Sequence, residues 1–121
     1  MRILVLDDDK ARLELFQRNL IGHLVTCVET APEAIQQLTE QVFQVVFLDH
    51  DLGGKVFQES GEGTGWEVAK WLSENPTRKP VLTVLHSFNE AGRKNMLALL
   101  PEAVEAPGVW LMPIEFKEKT T

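Results

Sequence analysis

The stretch Phe43–Gly54, FQVVFLDHDLGG, decides how the chain folds. Phe43 to Leu48 form an apolar run of the kind found in strands covered on both faces. A carboxylate, an imidazole and a carboxylate follow at Asp49, His50 and Asp51, and the segment breaks at Gly53-Gly54. Taken alone, the triplet fits four roles: a phosphorylation switch, a metal site, a catalytic pair, or a polar turn closing a strand.

Outward from this stretch the same unit repeats. Ile3 to Leu6 is a short apolar run ending at Asp7-Asp8-Asp9, after which Leu13, Phe16 and Leu20 recur at helical spacing. Leu24 to Val28 reads as a second strand. Thr30-Ala31-Pro32-Glu33 is a capping box with proline in the first turn, leading into Ile35 and Leu38. Beyond Asp49, residues 50–63 form one long irregular connection, a length that in compact domains marks functional or mobile loops. Thr64-Gly65-Trp66-Glu67 then predicts a second capping box and a helix that stops before Asn75-Pro76. Pro80 to Leu85 reads as strand four, Ser87-Phe88-Asn89-Glu90 as a third box opening a helix to Pro101, and Gly108 to Met112 as strand five. Pro113 to Thr121 are too few and too polar for a full helix.

Short apolar strands alternating with helices predict an α/β fold, a doubly wound parallel sheet with right-handed crossovers. The 121 residues fit a single domain, 1–121. A net charge of −6 disfavours passive binding to nucleic-acid backbones or anionic membranes. No apolar run reaches the ~20 residues of a membrane span, and MRILVLDDDK lacks the build of a signal peptide, so a cytoplasmic location is expected. The single Cys27 excludes an internal disulfide framework and reads as a small core residue.

In a doubly wound sheet the ligand crevice lies outside the carboxyl ends of the strands. That rule gathers Asp7, Asp8 and Asp9 after strand one, Asp49, His50 and Asp51 after strand three, and His86 and Ser87 after strand four. Clustered carboxylates repel one another unless protonated, hydrated or bridged by a cation. Asp9 reads as the cap of the first helix. Two histidines near one phosphate suit proton transfer at neutral pH, although a histidine bonded to loop backbone is the plainer alternative. His23, in a turn at the opposite edge, reads as structural. Arg12, Lys55, Arg93 and Lys94 are the cations within reach, and Trp66, Trp71 and Trp110 have spacings that suit core or groove packing.

Across nearly its whole length the chain resembles the receiver domain of two-component response regulators. The resemblance rests on Asp7-Asp8 after ILVL, Asp49 after VVFL, the TGWEVAKWL helix, Ser87 near the end of strand four, and Pro113 after strand five. It implies a flavodoxin-like sheet of five strands in the order 2-1-3-4-5, a divalent metal, magnesium, on Asp7, Asp8 and Asp49, and Asp49 in the phosphoacceptor position. The chain departs from that pattern at Met112, where the resemblance calls for lysine, in its longer loop after Asp49, in His50 and His86, and in a fifth helix that is short or missing. The combination of LDHDLGG, SGEGTGWEVAKWL and VLHSFNEAGRKNM is closer to a receiver-like group, the cyclic-phosphate processing receiver domains.

That resemblance implies a phosphoesterase acting on cyclic phosphates, in RNA 2′,3′-cyclic ends or cyclic nucleotides. His50 and His86 are then the proton-transfer pair, Asp51 orients a histidine, and Ser87, Thr64 and Arg93 bind phosphate under loop 50–63. The partner is a phosphate-bearing nucleotide or RNA end. The alternatives are an atypical receiver module, with or without phosphorylation at Asp49, and a nucleotide-binding module without turnover. A truncated fifth helix also implies uncovered apolar surface, and from it a homodimer.

Overall fold

The structure, a computed structural model, describes residues 1–116. Five parallel strands, β1 (Arg2–Leu6), β2 (Leu24–Val28), β3 (Val45–Leu48), β4 (Leu82–Leu85) and β5 (Val104–Glu105), lie in the order β2-β1-β3-β4-β5. Four helices connect them: α1 (Lys10–Asn19), α2 (Ala31–Glu40), α3 (Gly65–Glu74) and α4 (Glu90–Leu99). This is the doubly wound sheet expected from the strand and helix order, with the flavodoxin-like strand order that the resemblance implies.

Register sets the functional edge. Leu6 pairs with Val28 and Leu48, Leu48 with Leu85, and Leu85 with Glu105, so the strand ends are level. The next residues, Asp7, Asp49 and His86, therefore leave the sheet side by side. Successive side chains of a strand point to opposite faces. Ile3, Val5, Val45, Phe47 and Val84 pack with Leu13 and Phe16 of α1, whereas Leu4, Leu6, Val46, Leu48 and Leu85 pack with α2, α3 and Met96 of α4. Both faces are covered, which is why β1 and β3 read as continuous apolar runs rather than alternating ones.

The helix starts differ in their chemistry. The Asp9 carboxylate accepts the Arg12 N–H at 3.0 Å and caps α1, and the Thr30 hydroxyl accepts the Glu33 N–H at 3.2 Å and caps α2. The other two predicted boxes form otherwise. The Thr64 hydroxyl turns back to donate to the Gly61 carbonyl at 2.7 Å, and Glu67 accepts from the Gly63 N–H at 2.9 Å. The cap of α4 is Asn89, which accepts the Gly92 N–H at 2.9 Å, while Ser87 accepts the Asn89 N–H at 3.1 Å.

The fifth strand is not Gly108–Met112 but Val104–Glu105. Pro107 brings no N–H to a ladder, Gly108 adopts φ +80°, and Val109–Leu111 close into a tight 3-10 turn. Met112 is consequently exposed and outside the sheet, and the residue between β5 and the next proline is Ala106, whose N–H donates to the Leu85 carbonyl at 2.9 Å. Lysine is absent from that strand end too, but Ala106 and not Met112 stands there. The apolar GVWLM run serves another purpose: Trp110 is buried against Phe16 and His86, Asn19 donates to the Trp110 carbonyl at 2.6 Å, and Ile114 and Phe116 pack on the α1 face. No fifth helix forms among the described residues. The segment 117–121, part of the tail read as too short for a helix, lies outside the described residues.

Candidate active site at the strand ends

Because Asp7, Asp49 and His86 continue the odd side of β1 and β3 and the Val84 side of β4, all three face α1. One ligand atom from each lies within 4.8 Å of the others, and all three residues are buried. Arg12, in the first turn of α1 and held there by the Asp9 cap, reaches back into this group. Its Nε donates to Asp7 Oδ2 at 2.9 Å and its Nη2 to Asp7 Oδ1 at 2.8 Å, a two-pronged pairing. The same Nη2 is 3.4 Å from Asp49 Oδ2 and 3.6 Å from Asp8 Oδ1. The guanidinium carbon sits 5.5 Å from the Trp110 ring centre.

The electrostatics separate the carboxyls. Burial pushes Asp7 upward, but the bonds from His86 and Arg12 outweigh it and hold its pKa at about 2. Burial and the charge of Asp7 raise Asp49 to about 7, with Arg12 opposing them only in part. Burial drives His86 below its ordinary range, against the pull of Asp7, so the ring is neutral at pH 7. An ionised Asp7 requires the His86 Nε2–H to be the donor at 2.9 Å, which leaves Nδ1 as a lone pair with no hydrogen-bond partner. The ring is clasped by Phe16 at 4.9 Å and Trp110 at 5.5 Å between centres.

A crevice of about 400 Å³ opens over this group, lined on its polar side by Asp8, Asp9, Arg12, Asp49 and Ser87 and on its apolar side by Phe57, Phe88 and Trp110. Phe57 holds a positive φ of 52°. Its N–H is tied to Asp51 Oδ2 at 2.7 Å, which holds the backbone of this exposed residue at the rim.

His50 lies elsewhere. As the next residue after Asp49 it faces the opposite side of the sheet, fully buried against the start of α4, and a Cβ added at Gly92 would meet its ring at 2.4 Å. Asp51 accepts from His50 Nδ1 at 2.8 Å, from Asn89 Nδ2 at 3.0 Å and from the Gln58 N–H at 3.1 Å. Burial alone would raise the Asp51 carboxyl, but these donors hold it below its usual range. With Nδ1–H donating, His50 Nε2 accepts from the Ser60 hydroxyl at 2.9 Å, and Asn95 Nδ2 donates to Ser60 at 2.8 Å. The Asp51-His50-Ser60 order is that of a hydrolase triad, but Ser60 does not line the crevice. The network instead straps loop 50–63 to α4.

The sequence-predicted residues therefore divide. Asp7, Asp8, Asp49, His86 and Ser87 meet at the crevice. Asp51 lines it but spends its oxygens on the strap. Thr64 is buried within its own turn, and Arg93 donates from Nη1 to the Ser87 carbonyl at 2.7 Å and from Nε to Glu105 at 3.2 Å, tying α4 to β5. Among the cations named from sequence, Arg12 is the central one, although nothing in its spacing beyond the Asp9 cap marks it. Ser60, Asn89 and Asn95 were not foreseen as a network; only the Asn89-x-x-Gly92 spacing, a cap, hinted at one member.

Known proteins give the same frame. The model of the family described as "Cyclic-phosphate processing Receiver domain" matches residues 2–102. Among solved structures, the Mn(2+)-bound form of response regulator Rcp1 superposes with a TM-score of 0.67 at 22% identity, over 87% of this chain and 79% of that one. Response regulator protein TrrA from Thermotoga maritima, in complex with Mg(2+)-BeF, gives 0.69 at 23% identity, covering 88% of this chain and 87% of that one. A CheY-like receiver domain from Methylobacillus flagellatus gives 0.69 at 20% identity, over 95% and 88%. At these identities the likeness concerns the fold. No curated protein sequence matches the chain. No helix among the described residues is long and apolar enough to cross a membrane.

Proposed function

This chain belongs to the cyclic-phosphate processing receiver domains, and from that membership we propose that it opens cyclic phosphates carried on nucleotides or RNA ends, using the crevice over Asp7, Asp49 and His86. The observation that carries the reading is the meeting, in one aromatic-walled crevice, of a cation held by Asp7 with a second carboxyl poised near neutrality.

Ring opening of a cyclic phosphodiester adds water to phosphorus and breaks one P–O bond to the ribose. The leaving oxygen takes a proton and the attacking water loses one. Asp49, with a pKa of about 7, is suited to moving that proton, because a group titrating near the working pH is present in both forms. Arg12 spends Nε and Nη2 on Asp7 and Asp49, while Nη1 has only Asp9 at 3.6 Å and keeps donors for a phosphate oxygen. Charge placed beforehand where it develops in the transition state is the strongest single device for such a reaction. His86 acts through Asp7: its Nε2–H fixes the carboxylate that fixes Arg12, so it is a positioning residue. Ser87 is the second phosphate contact. Phe57, Phe88 and Trp110 offer faces on which a base can stack, at about 1–3 kcal/mol per base.

The resemblance implies magnesium on Asp7, Asp8 and Asp49, but the four donors around the Asp7 carboxylate leave it no oxygen lone pair for an ion in this geometry.

The test is turnover of 2′,3′-cyclic mononucleotides and cyclic dinucleotides by the purified protein. Arg12→Met, Asp49→Asn and His86→Ala are expected to lose at least about 100-fold in kcat/KM, the scale of one lost acid–base or oxyanion contact. His50→Ala, assayed below its melting temperature, is expected to keep most of it. Absence of turnover in the wild type removes the reading; an intact-mass adduct from acetyl phosphate, lost in Asp49→Asn, would favour a phosphorylated receiver instead.

A further inference from the structure

We propose that the Arg12 guanidinium is the resident cation of this crevice, standing where a divalent ion would bridge the carboxylates, so that the crevice takes no metal while Arg12 is in place. The inference concerns occupancy and does not depend on the proposed reaction.

An ionised carboxylate offers about four lone-pair positions. All four of Asp7 are in use. Oδ1 accepts the Asp9 N–H at 2.9 Å and Arg12 Nη2 at 2.8 Å; Oδ2 accepts Arg12 Nε at 2.9 Å and His86 Nε2 at 2.9 Å. An ion could bind Asp7 only by evicting one of these donors, and Asp7 is fully buried, so no water waits to replace the loss. The other two carboxylates are engaged only in part. Asp8 Oδ2 accepts the Gly54 N–H at 2.6 Å, and Asp49 Oδ1 accepts the His50 N–H at 2.9 Å.

The position of one atom is the second observation. Nη2 of Arg12 lies 2.8 Å from an oxygen of Asp7, 3.6 Å from one of Asp8 and 3.4 Å from one of Asp49. A single nitrogen therefore reaches all three carboxylates, as a bridging ion would. It is anchored there from three sides: the Asp9 cap holds the Arg12 backbone, Asp9 Oδ2 lies 3.6 Å from Nη1, and the Trp110 ring lies under the guanidinium. Arginine keeps its charge at every relevant pH and pairs with carboxylates in a fixed fork, so it is suited to replace an ion permanently. The interaction with Asp7 pushes its pKa further up still.

Removing the guanidinium should uncover a different kind of site. Asp7, Asp49 and His86 would offer two carboxylate oxygens and an imidazole, a mixed set whose carboxylates suit manganese and whose imidazole suits zinc.

The experiment is a titration of Mn2+ into the full chain, read as loss of the free-ion electron paramagnetic resonance signal, with melting temperature followed in parallel. The wild type is expected to show no loss of signal and no melting shift. Arg12→Met is expected to take up equimolar Mn2+ and gain melting temperature with it, and Arg12→Met/Asp49→Asn to lose that uptake. Wild-type uptake that disappears in Asp49→Asn overturns the proposal, and this arm needs no variant at Arg12 to fold. A folded Arg12→Met that binds no Mn2+ overturns it as well. Wild-type binding would leave the cyclic-phosphate reading standing, whereas an inactive protein that binds no metal would remove that reading alone.

Discussion

Replacing Asp49 by asparagine should stabilise the protein, and the gain should depend on pH. Asp49 is 4% exposed, next to the ionised Asp7, and its pKa rises from 3.8 to about 7. A carboxyl raised in the folded state binds protons more tightly there than in the unfolded chain. Its contribution is therefore present below pH 3.8 and is lost as pH rises towards 7. The interval from 3.8 to about 7 corresponds to about 4 kcal/mol at about 1.4 kcal/mol per tenfold change in proton affinity. Screening and relaxation make about 2–4 kcal/mol the range to expect above pH 7.5. Asparagine keeps the shape and an acceptor for the His50 N–H but brings no charge. Asp49→Asn should then melt about 8–15 °C above the wild type at pH 8 in the presence of a chelator, taking about 4 °C per kcal/mol for this chain length. Below about pH 3.8 the two curves should nearly coincide. Equal melting at both pH values, or a less stable variant at pH 8, would refute the account of Asp49 as a strained charge.

The neighbouring carboxyl has the opposite sign: Asp7, held at about 2, contributes stability above pH 3.8 that is lost as pH falls through 2, so Asp7→Asn should melt lower than the wild type at pH 7. Gly65→Ala should be among the most damaging changes in the chain, costing about 3 kcal/mol or more, because its Cβ would lie 1.7 Å from the Asp49 carbonyl oxygen and neither backbone can yield; a melt near that of the wild type would contradict this. Asp51→Ala should free loop 50–63 from α4, seen as faster hydrogen exchange at the Phe57 and Gln58 amides that it now accepts from, with β1 amides unchanged. Unaltered exchange at those two amides would mean the strap is not what orders the loop.

The sheet was readable because β1 and β3 are covered on both faces, and such strands leave unbroken apolar runs that end on their polar residues. The level strand ends then followed from the fold, and with them Asp7, Asp49 and His86. What a pattern of residue types hides is direction. Asp49 and His50 are neighbours in sequence, but alternation sends one to the α1 face and the other to the α4 face, so the two histidines lie on opposite sides of the sheet. The period of two, continued one residue past the strand, gives that separation. The fifth strand misread for a related reason: Gly108-Val109-Trp110-Leu111-Met112 is apolar because Trp110 roofs His86 and Arg12, not because it joins the sheet. Arg12 stands among four candidate cations in the sequence, and nothing there singles it out, because a cation in a helix's first turn looks the same whether it faces water or three carboxylates.

If the crevice between Arg12, Asp49, Ser87 and the Phe57, Phe88 and Trp110 rings receives the cyclic phosphate, a 15N-edited NMR titration with a 2′,3′-cyclic mononucleotide in chelator will show it residue by residue. Saturable shifts are expected in the Asp8, Asp9, Ser87 and Phe88 amides, the Arg12 side chain and the Trp110 indole N–H. Shifts confined to other surfaces, or none at saturating nucleotide, would contradict it.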